Sequence, residues 1–266
     1  MKSPKQTALE KRILRALSGK ALKVAHLLII DREVQLLQDY ANTVSIKRLN
    51  YNDHGPVHMR KVTLNALRML DLLNESGVRF SLETEEIGTF EDCQIAVLLA
   101  AFLHDVGMSV GRHGHEHSAL VLAMPIIDRI LSAVYDIDMG KTVIVRSLAL
   151  EGIAGHMGTQ RIHSLEAGAI LVADGCDMER GRARIPLMIT TESKVGDIHK
   201  YSSSAIRKVD ITAGKRRPIR ITVEMSESVG FFQVEEVLMT KIDASPLKSQ
   251  IELYAGVIGQ KDRRYL

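Results

Sequence analysis

Along the first two thirds of the chain, apolar positions return every three or four residues between short polar breaks, the pattern of packed helices. Residues from about Leu9 to Leu28 and from Asp31 to Ile46 follow this spacing. The run VHMRKVTLNALRMLDLL, Val57 to Leu73, predicts a long amphipathic helix with Pro56 in its first turn. Glu91 to Leu103 differs, because IAVLLAAFL is apolar on every side and so predicts a central helix covered all round. Another helix is expected from Glu116 towards Val134, bent or broken near Pro125. Two more are expected over about Thr142–Ile153 and Ser164–Met178. No strand alternation precedes about residue 185, so this part reads as all-α.

The pattern then changes. IRKVDI and RPIRITVEM are short and rich in β-branched residues, and the turn cluster TAGKRRP separates them. FFQVEEVLMTKI reads as a helix and QIELYAGVI as a final strand. The expected fold is therefore mainly α with a small C-terminal α+β module. Residues 1–185 form the helical domain with an N-terminal helical extension, 186–266 form the module, and Pro186–Ser204 is the transition. A unit of about eighty residues has a limited core and gains stability by packing on a neighbour or on its own copy. The module is thus expected to assist homodimerisation or shape a substrate cleft, and to carry no metal chemistry.

Composition narrows the function. A net charge of +3 without a concentrated basic stripe argues against nucleic acid or an anionic membrane as partner. No uninterrupted apolar run reaches the ~18 residues of a membrane span, and MKSPKQTALEKR lacks the apolar centre of a signal peptide. A cytoplasmic protein is expected. Cys93 and Cys176 lie in apolar contexts without CxxC spacing and read as reduced packing residues. There is no Walker A loop, GxGxxG or nucleophile elbow, so kinase, dehydrogenase and serine-hydrolase chemistries lack their machinery.

Histidine supplies the positive signal. Eight of the ten histidines lie between positions 54 and 163: His54, His58, His104, His113, His115, His117, His156 and His163. The apolar run LLAAFL ends in His104-Asp105. Adjacent residues on a helix point about 100° apart, so both can meet one ion only at a helix end, where Gly107 can terminate the turn. A buried Asp105 carboxylate requires a cation, and a divalent metal supplies the largest local charge.

The ordered series His58, His104-Asp105, His115, His156 and Asp174, each on or beside a predicted helix, resembles the HD superfamily of metal-dependent phosphohydrolases over about residues 50 to 180. The resemblance implies that His58, His104, Asp105 and Asp174 hold one ion. His115, in HEHSA, and His156, in IAGHMG, would hold a second with a bridging Asp105, which favours a dinuclear site over a single ion. His115 and His117 point differently on a helix, and His115 is taken as the ligand. In related phosphodiesterases a histidine four positions before the first ligand donates a proton, which implies His54 as a catalytic acid; a capping or supporting contact is the alternative. Mixed imidazole and carboxylate ligands suit Fe²⁺, Mn²⁺, Co²⁺, Ni²⁺ or Zn²⁺. Arg112 beside the cluster, and Arg180, Arg182 and Arg184 beyond Asp174, are candidates to hold substrate phosphate; a solvated loop is their alternative.

HDVGMSVGRHGHEHSA and ADGCDMERGRARIP resemble stand-alone archaeal and bacterial members of the superfamily, such as the phosphodiesterases that open the 2′,3′-cyclic phosphate of dihydroneopterin. A phosphodiester or cyclic phosphate of a small nucleotide-like molecule is therefore the expected substrate. The alternatives are a nucleotidase or phosphomonoesterase, a (p)ppGpp-type hydrolase, or a non-catalytic metal- or nucleotide-binding regulator.

Overall fold

A computed structural model describes residues 2–136, 138–179 and 197–266. Several helices begin where a short polar side chain satisfies the first free backbone N–H groups. Ser3 accepts from the Gln6 N–H at the start of α1 (Pro4–Arg15). α2 (Gly19–Ile30) follows after a break at Leu17 and Ser18, so the Leu9–Leu28 stretch is two helices. Asp31 accepts from the Val34 N–H to start α3 (Arg32–Thr43), which runs on into a π-helical turn, Val44–Arg48. Next come α4 (Pro56–Glu75), with Pro56 in its first turn, and the short α5 (Ser81–Thr84).

The central helix is α6 (Phe90–Leu103). Thr89 Oγ1 accepts from the Asp92 N–H at 3.3 Å, while Asp92 Oδ2 accepts from the Thr89 N–H at 2.9 Å, a reciprocal cap. Every residue from Ile95 to Leu103 is buried, as a run apolar on all sides requires. α2, α4, α8 (Met139–Gly155) and α9 (Leu165–Cys176) pack around it. α7 (His115–Tyr135) lies across α8 and passes through Pro125 without a break. The expected interruption does not occur because Pro125 is on the exposed side, where solvent can take up the carbonyl of Val121 that loses its N–H partner.

By length and composition alone, two stretches among the described residues could cross a membrane, Phe90–Ser109 and His115–Tyr135. Neither is an uninterrupted apolar run: Glu91, Asp92 and Asp105 interrupt the first, and Asp128 and Arg129 the second. The first is the core helix, 89% buried by its neighbours, and neither is strongly apolar.

The C-terminal part begins with α10 (Asp197–Ala205), inside the stretch read as a transition. β1 (Ile206–Ala213) and β2 (Ile219–Met225) form an antiparallel hairpin. A π-helical segment, Gln233–Met239, continues into α11 (Thr240–Ala244) and carries the chain over to β3 (Ile251–Val257), parallel to β2. β4 (Arg263–Arg264) closes the four-stranded sheet in the order β1-β2-β3-β4. The sheet buries Ile219, Ile221, Val223, Ile251 and Leu253, and these belong to the same continuous apolar core as the helices. α4 packs on β1 and β2, and α9 packs on the crossover. The fold is thus mainly α with a small C-terminal α+β part.

Candidate metal centre

Five helix ends meet at one point. His58 is in the first turn of α4, His104 and Asp105 end α6, His115 starts α7, His156 ends α8, and Asp174 lies in the last turn of α9. Three of these ends are C-termini, whose partial negative charge favours a cation. Gly107 has a role beyond the one its sequence position suggests. It does not adopt a left-handed turn; a Cβ there would lie 1.9 Å from the His115 carbonyl oxygen and 2.6 Å from the Ala119 nitrogen. Its missing side chain is what lets α7 approach and bring His115 to Asp105.

All six expected ligands are brought together, buried to 7% exposure or less. The two oxygens of Asp105 divide the cluster. Oδ2 lies 3.2 Å from His58 Nε2 and 3.4 Å from His104 Nε2, and His58 Nε2 is 3.2 Å from Asp174 Oδ1. Oδ1 lies 3.2 Å from His115 Nε2 and 3.5 Å from His156 Nε2. Donors bound at ~2.1 Å to one tetrahedral or octahedral ion stand roughly 3.0–3.4 Å apart, close to these separations.

The ring protons argue the same way. Nδ1 of His104, His115 and His156 faces the carbonyl three residues earlier, those of Ala101, Arg112 and Ile153, at 3.0, 3.0 and 2.7 Å. His58 Nδ1 faces Asp177 Oδ2 at 2.7 Å. Carbonyls and carboxylates only accept, so each Nδ1 carries its proton, and a neutral ring then turns a bare Nε2 lone pair inward. Those Nε2 atoms meet at 3.2 Å (His58 and His104) and 3.0 Å (His115 and His156). Facing lone pairs at that distance repel unless a cation lies between them, and outer hydrogen bonds of this kind are what orient metal-binding histidines.

The electrostatics of the cluster follow from burial and from its hydrogen bonds. Burial alone would raise Asp105, yet electrostatic attraction to His104 and His54, with hydrogen bonds from His104 and His115, holds it well below the usual carboxylate range. Burial pushes His156 down to about 4 against the hydrogen bond to Asp105, so its ring stays neutral. His115, though burial opposes it, is raised by its hydrogen bond to Asp105.

His54 places Nδ1 2.7 Å from Asp105 Oδ2 and is 8% exposed, at the rim of the cluster. His117 is exposed and pairs with Gln160 at 3.0 Å, away from the cluster, while His113 is also exposed. Arg112 is half-buried, and its guanidinium lies 5.7 Å from the Tyr51 ring. Arg180, Arg182 and Arg184 fall outside the described residues.

Three supporting residues escape the sequence reading. Asp177 holds His58 and is itself held by Lys61 at 2.7 Å; its signal is the spacing of three from Asp174 in ADGCDM. Lys241 on α11 ion-pairs Asp174 and donates to the His156 carbonyl at 2.9 Å. The C-terminal module, expected to carry no metal chemistry, supplies no expected ligand but touches the cluster through Lys241: the crossover packs on α9, and Lys241 arrives with it.

No family model and no solved structure matches the chain. Among curated proteins it is similar to the uncharacterized protein MJ1020 of Methanocaldococcus jannaschii, with 37% identity over 248 residues that span 93% of each chain.

Proposed function

We propose that this chain, which belongs to the same family as the Methanocaldococcus jannaschii protein, is a metal-dependent phosphohydrolase of the HD type. Its substrate is a phosphodiester or cyclic phosphate of a small nucleotide-like molecule, and it works in the cytoplasm as a homodimer. One observation carries the reading: two pairs of facing Nε2 atoms are arranged about the two oxygens of a single buried carboxylate. His58, His104, Asp174 and Asp105 Oδ2 would hold one ion; His115, His156 and Asp105 Oδ1 would hold the other. Bound ions of this kind supply an acidified water and neutralise phosphoryl oxygens.

The chain's own residues do the rest. Asp105 orients the His54 ring through Nδ1, 2.7 Å from Oδ2. A protonated His54 gives its Nε2 proton to the leaving oxygen as the P–O bond breaks, a contribution typically worth ~10²–10⁴ in rate. Arg112, anchored beside His115 through its carbonyl, is assigned to a substrate phosphate, with Arg180, Arg182 and Arg184 as further cations.

The test is metal analysis of anaerobically purified protein, then assays on cyclic and linear diesters and on monoesters with Mn²⁺, Fe²⁺ or Co²⁺. About two ions and diester hydrolysis are expected. Asp105→Ala should abolish both while the helical circular dichroism persists. Full metal content and turnover in that variant would remove the reading.

A further inference from the structure

We infer that Lys241 is a positioning residue of the metal centre, so that the C-terminal module completes it; the inference rests on the metal-dependent reading above. One ammonium group serves both halves of the cluster. It ion-pairs Oδ2 of Asp174 and donates to the backbone carbonyl of His156 at 2.9 Å. The other carboxylate oxygen, Asp174 Oδ1, faces His58 Nε2 at 3.2 Å. With Oδ2 engaged by the lysine, Asp174 offers a cation one oxygen in a fixed direction rather than two. The hold on the His156 carbonyl fixes the end of α8 from which that imidazole projects.

A second observation shows that α9 is shaped for this contact. A Cβ on Gly175, the residue after Asp174, would lie 3.1 Å from Lys241 Cδ and 3.3 Å from Leu238 Cδ1. Seven residues earlier on the same face, a Cβ on Gly168 would lie 2.7 Å from Ser245 Oγ and 3.2 Å from Pro246 Cδ. Glycine weakens a helix interior relative to alanine, so two on one buried face need a compensating contact. The segment from Leu238 to Leu247 provides it, and the lysine stem runs over Gly175 to reach the carboxylate. The ammonium is shielded, its side chain 12% exposed, which strengthens its hold on Asp174 relative to a surface pair.

A purely structural salt bridge and a positioning residue differ in what their loss changes. The probe is Co²⁺ alone, titrated into full-length metal-free protein and read by calorimetry and by its visible absorption. Lys241→Met keeps the stem over Gly175 and removes the charge. It should fold, bind Co²⁺ about 10–100-fold more weakly, and show an altered Co²⁺ spectrum; Lys241→Arg should recover part of the affinity. Wild-type affinity and spectrum in Lys241→Met, whatever its thermal stability, would overturn the inference. Should that variant fail to fold, Gly175→Ala displaces the stem with the charge kept, and it too must weaken Co²⁺ binding or the inference fails. A wild-type protein that takes up no Co²⁺ overturns the metal reading and this inference together. Co²⁺ uptake without hydrolysis of any phosphoester overturns the hydrolase reading alone.

Discussion

At the scale of single residues, the choice between two histidines two positions apart is the sharpest test. His115 is 1% exposed and against Asp105, whereas the side chain of His117 is 64% exposed and hydrogen-bonds Gln160. His115→Ala should lower the metal content from about two ions to one with a strong loss of turnover, and His117→Ala should change neither by more than about twofold. The reverse pattern, seen by metal analysis of the two variants, would reassign the ligand. The pH dependence follows from the same residue. A metal must compete with protonation of His115, whose pKa lies above the ordinary imidazole value, while burial pushes His156 down to about 4, where it offers no competition near neutrality. Affinity for the second ion should therefore fall as the pH drops through the raised His115 value, and Co²⁺ titrations between about pH 5 and 8 should show one ion lost first. Equal affinity for both ions throughout that range would contradict the assignment. The ligand types were legible because imidazoles and a carboxylate at the end of an apolar helix have no packing role. Lys241 was not, because nothing local marks a lysine whose partner lies 67 positions away in the chain.

At the scale of elements, the helices were legible from period and capping, and the errors have separable causes. The pattern missed the break at Leu17 and Ser18 because both sides share one helical period, and it overestimated Pro125, which lies on an exposed face. α6 shows how a local cap serves a distant site, since its start fixes the helix that delivers His104 and Asp105. Asp92 receives the Thr89 N–H, the Tyr135 hydroxyl and the Lys141 ammonium. Burial would raise its pKa, but the hydrogen bonds from Lys141, Tyr135 and Thr89 outweigh it and lower the value. A depressed carboxylate contributes stability that is present above its unfolded pKa, ~3.9, and is lost as pH falls through the lower folded value. Asp92→Asn should thus cost about 1–3 kcal/mol at pH 7, and its deficit against wild type should shrink as the pH approaches 3. Denaturant unfolding at several pH values checks this; a deficit independent of pH would mean that the charge plays no part.

At the scale of the whole molecule, the sequence divides the chain near residue 185, whereas the buried apolar side chains do not. Ile219, Ile221, Val223 and Leu253 share one continuous core with α4 and α9. A period-2 strand pattern tells which residues face inward but not which surface they meet, so the sequence alone left the module to dimerise or to stand beside a cleft. Its position also couples it to the cluster twice. Lys241 reaches Asp174, and Glu179, paired with Lys61, accepts from the Val209 N–H of β1 at 3.2 Å. Every expected ligand precedes Arg184, so if the ligands alone decided the matter a folded chain ending there would keep its metal. The contacts argue otherwise. Removing the sheet would uncover the apolar faces of α4 and α9, and removing Lys241 would leave Asp174 without its ammonium. We expect such a chain to aggregate or, if soluble, to bind Co²⁺ at least tenfold more weakly than the full chain. Size-exclusion chromatography with a Co²⁺ titration measures both. A soluble, helical fragment with full metal affinity would show that the two parts are energetically independent, despite the core they share.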